Sequence, residues 1–104
     1  MEILNDNKFN ELVLNSKGVV FVDFFATWCG PCRMLSPILE QVSKEVDVPI
    51  YKVDVDDAEK TARMYGILSI PTMILFVNGQ ETEKIVGLRS KDEIVELIQK
   101  YNNK

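Results

Sequence analysis

The sequence predicts an α/β domain in which a mixed, five-stranded sheet lies between helices on both faces, four helices and three layers in all. Three observations lead there. Val19-Val-Phe-Val-Asp-Phe-Phe25 is too continuously apolar for a sheet with one wet face, so it reads as a central strand covered on both sides. Strand and helix signals alternate along the chain in the order βαβαβαββα, which favours a sheet sandwiched by helices. Asn78-Gly79 is a two-residue hairpin signal, so the last two strands run antiparallel and the sheet is mixed.

Each element has its own reason. Met1 to Leu4 is expected as a short edge strand, and Phe9, Leu12 and Val13 then follow helical spacing from a start near Asn5 or Asp6. Gly18 ends that unit before the central strand. Leu35, Ile38, Leu39, Val42 and Val46 form one apolar face of a second helix, with Glu40, Lys44 and Glu45 on the other. Pro37 falls inside it, where a missing N–H and a clash with the preceding turn predict a bend. Pro49 closes the loop into the alternating strand Ile50 to Val55. Asp56-Asp-Ala-Glu59 resembles a capping box for a short third helix that Gly66 terminates. Strands are expected over Met73 to Val77 and Glu81 to Val86. Ser90-Lys-Asp-Glu93 is a second capping box, ahead of the Ile94, Leu97, Ile98 and Tyr101 face of the last helix.

Composition narrows the function classes. With 104 residues, 46% apolar and 27% charged, the chain has enough apolar content for one core, and no linker or repeat divides it, so residues 1–104 are read as one domain. A net charge of −4 offers no general attraction for phosphate, which argues against nucleic acid as a partner. No apolar run reaches the roughly 20 residues that span a bilayer, and the start MEILNDNKFN has no secretory pattern, so a cytoplasmic location without membrane attachment is expected. Two cysteines and no histidine cannot make a closed zinc site in one copy, so no metal is expected.

What remains is Cys29-Gly30-Pro31-Cys32 between a buried strand and a helix start. A helix N-terminus carries unpaired amides and partial positive charge, which favour a thiolate, and Cys29 lies nearest that end. Pro31 is well accommodated in a first turn, where its missing N–H costs nothing. The pattern predicts thiol–disulfide exchange: Cys29 attacks a partner disulfide, and Cys32 then attacks the mixed disulfide. The plainer reading is a pair of small buried hydrophobes. Cys32 sits deeper and must lose a proton, so a base is needed. Asp23, a lone carboxylate in an apolar strand, is the candidate, its pKa expected to be raised by burial. The alternative is an acid at a strand end that reaches solvent or a backbone donor.

FVDFFATWCGPCRMLSPILE, with KVDVDD, YGILSIPTMILFVNG and the glycine of IVGL, resembles the thioredoxin family along nearly the whole chain. The resemblance implies the thioredoxin fold, with Cys29 as nucleophile, Cys32 as resolving thiol and Asp23 as buried acid. It further implies that Pro71 is a cis-proline beside the disulfide, and that Trp28, Gly30, Pro31, Ile70 and Gly87 form an apolar contact surface around Cys29. A core position for Trp28 is the alternative. Lys52 matches a lysine that modulates the acid, against the plainer reading of a solvated strand lysine. Phe25 departs from the family pattern, since many members have tryptophan there and its indole N–H is missing here.

By that resemblance the chain is expected to be a general protein-disulfide reductase serving cytosolic redox homeostasis, recharged by thioredoxin reductase with electrons from NADPH. Candidate clients are ribonucleotide reductase, peroxiredoxins and methionine sulfoxide reductases, and a monomer is expected. No GxGxxG loop follows any strand, so no bound cofactor is expected and electrons arrive by protein contact. Oxidase and isomerase relatives usually carry histidine between the cysteines, whereas Gly30-Pro31 points to a reductant. A binding or chaperone subunit that grips a partner through an apolar rim around Trp28 is the reading from another class.

Overall fold

The computed structural model describes residues 1–102. Its order is α1 (Asp6–Phe9), running on as a π-helical turn (Asn10–Leu14), β1 (Val19–Phe25), α2 (Gly30–Ser43), β2 (Ile50–Asp54), α3 (Glu59–Met64), β3 (Thr72–Val77), β4 (Gln80–Val86) and α4 (Lys91–Asn102). The sheet order is β2-β1-β3-β4, with β2 parallel to β1 and the other neighbours antiparallel. Every residue of β1 is buried, Asp23 included, as expected of a strand whose other six residues are all apolar.

The described sheet has four strands rather than the expected five. Met1 to Leu4 makes only an isolated parallel bridge, Ile3 to Lys52. The Lys52 amide donates to Glu2 O at 3.0 Å and the Leu4 amide to Lys52 O at 2.8 Å. Asn5 then turns the chain away, because its side chain accepts from the Lys8 amide at 2.7 Å and caps α1.

The expected capping box at Asp56 to Glu59 is also corrected. The N-cap of α3 is Ala58, which contributes no side-chain bond. Asp6, on α1, does the capping from across the fold: its Oδ1 accepts from the Thr61 amide at 3.0 Å and the Thr61 hydroxyl at 2.6 Å. These bonds hold the Asp6 carboxyl below its ordinary pKa. The box before α4 forms as expected, with Ser90 Oγ accepting from the Glu93 amide at 3.2 Å.

Asn78 and Gly79 both have positive φ, 52° and 80°, as a tight hairpin between β3 and β4 demands. A Cβ at Gly79 would run into the Leu14 carbonyl oxygen, so the turn needs glycine for space as well as conformation.

The sheet separates two apolar cores. Phe21, Leu35, Leu39, Leu75, Ile94 and Ile98 pack on the α2/α4 side, and Phe9, Val22, Phe24, Ile74 and Phe76 on the α1/α3 side. Tyr65 joins the second core, edge-on to Phe76 at 5.3 Å. A third, small cluster of Phe25, Ala26, Cys29 and Cys32 closes the C-terminal end of β1. Among the described residues no helix is long and apolar enough to cross a membrane.

Candidate active site

The cysteine pair stands where β1 hands over to α2. The chain turns at Ala26, whose carbonyl accepts from the Cys29 amide at 3.2 Å. Cys29 is extended (φ −87°, ψ 115°) and is the N-cap of α2, with Pro31 in the first turn. Its sulfur accepts from the Cys32 amide at 3.1 Å. A cap position normally occupied by a side-chain oxygen is therefore taken by sulfur. In the dithiol form the same amide and the positive end of α2 stabilise a thiolate at Cys29. The two sulfurs are joined as a disulfide with the Cα atoms 5.2 Å apart, and both residues are almost fully buried. They are therefore not merely two small hydrophobes that happen to lie near each other.

Pro71 arrives from the loop before β3. The Ile70–Pro71 peptide bond is cis. The Ile70 carbonyl oxygen lies 3.8 Å from Cys29 Sγ, and the Pro71 carbonyl accepts from the Gly87 amide at 2.8 Å. Residues distant in sequence are thus brought to one end of the sheet: Cys29 at the start of α2, Ile70 and Pro71 before β3, and Gly87 after β4. Gly87 has φ +97°, a conformation that favours glycine.

Trp28 is 67% exposed, which excludes a core position. Its indole Nε1 donates to Asp56 Oδ2 at 2.9 Å, and the Asp56 amide donates to Asp54 Oδ1 at 2.9 Å. The ring is therefore tethered to the end of β2 although it faces solvent. Ile70 is half-buried, Pro31 exposed and Gly30 half-buried. Leu68, two residues before Ile70, is 97% exposed, and Val86 and Leu88 on either side of Gly87 are exposed too. These three apolar residues do not stand out in the sequence. Leu68 and Leu88 fall in loops, which follow no periodicity, and Val86 is the last residue of β4; the Gly87–Pro71 bond joins the end of that strand to the cis-proline.

Asp23 is fully buried in β1, and among the described residues neither carboxylate oxygen has a hydrogen-bond partner. This is not a strand-end acid reaching water. Burial pushes its pKa up to about 7, against a smaller downward pull from the Lys52 ammonium. Lys52 is its direct partner on β2 and Met73 its partner on β3. The Lys52 side chain is half-buried, so it is not simply solvated. It donates to Ser36 Oγ at 3.3 Å and lies 4.4 Å from the Phe25 ring centroid. The site can thus do two things chemically: hold a sulfur anion at Cys29, and take or return a proton near neutral pH at Asp23.

A family model described as Thioredoxin matches residues 1–100. The chain is 44% identical over 103 residues to a thioredoxin of Chlamydia caviae, covering 98% of this chain and 99% of that protein. It is 41% identical over 103 residues to a chloroplastic M-type thioredoxin of Pisum sativum, covering 97% of this chain and 60% of that protein. Among solved structures it is similar to a mutant thioredoxin from Halobacterium salinarum, with a TM-score of 0.90 and 35% identity over 97% of this chain and 89% of that one.

Proposed function

The chain belongs to the thioredoxin family and is a thiol–disulfide oxidoreductase, and on that premise we propose that it is a general protein-disulfide reductase. The observation that carries this is the Cys29 sulfur capping α2 and accepting the Cys32 amide at 3.1 Å. In the dithiol state Cys29 is the thiolate. It attacks one sulfur of a client disulfide, a Cys29–client bond forms, the client S–S bond breaks, and the other client sulfur leaves as a thiolate that takes a proton. Cys32 then gives its proton to Asp23, attacks the Cys29 sulfur and expels the second client thiolate. The chain ends as the Cys29–Cys32 disulfide: two electrons have passed to the client, the second client thiolate takes the proton held by Asp23, and the first takes its proton from solvent. Asp23 suits the second step because its pKa of about 7 lets it accept and release a proton in the neutral range.

Disulfide-containing clients and a recharging reductase follow from the family. The finer assignments are part of the proposal: recharging by thioredoxin reductase with NADPH, a cytoplasmic setting in redox homeostasis, ribonucleotide reductase, peroxiredoxins and methionine sulfoxide reductases as clients, and no cofactor bound to this chain. Residues 1–104 act as one domain and as a monomer. Trp28, Ile70, Pro71 and Gly87 form the surface that receives the client segment, with Gly30 and Pro31 shaping the link between the sulfurs and Lys52 tuning Asp23. The exposed Leu68 favours a second role for this rim, gripping a partner without turnover.

The test is reduction of insulin disulfides by the recharged protein. Cys29→Ser abolishes turnover, whereas Cys32→Ser completes the first attack and accumulates a stoichiometric mixed disulfide on Cys29. No reduction by the unmodified protein, together with partner binding that survives both replacements, would leave only the gripping role.

A further inference from the structure

Lys52 and Asp23 are paired residues of adjacent parallel strands, so both side chains rise from the same face of the sheet. An ammonium on a flexible stem beside a buried carboxylate gains most by closing onto it in a charge-assisted bond. It does not do so here: neither Asp23 oxygen has a partner. The Lys52 ammonium is instead committed elsewhere, to Ser36 Oγ at 3.3 Å and to the Phe25 ring at 4.4 Å. Ser36 lies on α2 one turn after Cys32, half-buried.

Among the described residues no other charge in this region competes for that role. Lys52 is the charge that bears on Asp23. On β3 the partner of Asp23 is Met73, and α2 and α4 contribute Leu35, Leu39, Ile94 and Ile98 to this side of the sheet. Asp54, two residues beyond Lys52 on β2, is occupied by the Asp56 amide. Glu40, one turn beyond Ser36, is exposed and lies 4.0 Å from the N-terminal amine. Arg33, the residue after Cys32, donates to the Thr27 carbonyl at 3.1 Å.

We propose that Ser36 is a positioning residue: its hydroxyl, together with the Phe25 ring, holds the Lys52 ammonium off Asp23 and leaves the carboxyl free to exchange a proton with Cys32. The proposal rests on the reading of Asp23 as the proton acceptor. Ser36 touches neither sulfur nor client; it acts through Lys52. Without the hydroxyl, the ammonium loses its one hydrogen-bond acceptor, and the unpaired carboxylate is the strongest replacement on that face of the sheet.

The experiment is a pH titration of the Asp23 carboxyl by carbon NMR on the full chain, in both oxidation states, for the unmodified protein, Ser36→Ala, Ser36→Thr and Lys52→Met. Alanine is a good helix former, so Ser36→Ala keeps α2 intact. The expected result is an Asp23 midpoint lowered by about one pH unit or more in Ser36→Ala, the usual effect of a cation closing on a carboxylate. Ser36→Thr restores the original midpoint, and Ser36→Ala has no further effect once Lys52 is methionine. An unchanged or raised midpoint in Ser36→Ala, or an equal shift without Lys52, would overturn the proposal. The pH profile of mixed-disulfide resolution separates the two readings. A profile that moves with the carboxyl supports both. A carboxyl that shifts while the profile stays put supports the hold on Lys52 and overturns Asp23 as the acceptor.

Discussion

Asp23 carries a stability cost whose sign can be worked out. Its pKa rises from the ordinary 3.8 to about 7 in the folded protein. Between those values the folded chain binds more protons than the unfolded one, so stability is greatest below the unfolded pKa and falls as pH rises through the folded pKa. At 1.36 kcal/mol per pKa unit, the loss by pH 8 is on the order of 4 kcal/mol at most. Asp23→Asn removes the titration. Its urea unfolding free energy is therefore expected to stay flat from pH 5 to pH 8 while that of the unmodified protein declines. A parallel decline in both would mean that the carboxyl is not held against its charge. A buried acid kept at such a cost is a candidate functional group, which is the basis for proposing it as the proton acceptor. Trp28 shows the same preference for position over packing, since most of its ring stays in solvent while the Asp56 bond fixes its edge.

At the scale of elements, the helix and strand signals are readable wherever a local rule decides the outcome. The apolar run of β1, broken only by Asp23, the Asn78-Gly79 turn, the Ser90 cap and the placing of Cys29 at the start of α2 are all of that kind. What escapes depends on partners far apart in sequence. Asp6 caps α3 from 55 residues away, whereas a purely local reading assigns that task to Asp56. Asp56 is instead engaged by the Trp28 indole, 28 residues distant. The N-terminal segment reads as a short edge strand, yet a chain that must turn at Asn5 has length for one bridge only. Of the site, the cysteines and the acid are legible from residue type and spacing. The roles of Lys52, Pro71 and Gly87 come only with the family resemblance, and the Ser36 contact only with the structure. The remote cap has a measurable weight: Asp6→Ala strips the cap from α3 and leaves the buried Thr61 hydroxyl without its acceptor. The expected cost in unfolding free energy is about 1–2 kcal/mol. A change within a few tenths of a kcal/mol would show that α3 is held by packing alone.

Over the whole molecule, three loops and one helix start converge at the C-terminal end of β1. Trp28 next to Cys29 and Ile70 against it leave apolar surface beside a disulfide that is itself almost closed to solvent, and Leu68, Val86 and Leu88 are exposed close by in sequence to Ile70 and Gly87. On the proposed reading a client brings its own disulfide to this apolar surface, and apolar contact rather than the net charge of −4 governs the docking. The central claim is that this chain gives electrons to clients. It is tested most directly by the equilibrium reduction potential of the Cys29–Cys32 pair, followed through Trp28 fluorescence in dithiol buffers. The account predicts a potential below the roughly −220 to −260 mV at which glutathione poises the cytosol. A potential at or above that range would contradict it and make the protein an oxidant or an isomerase.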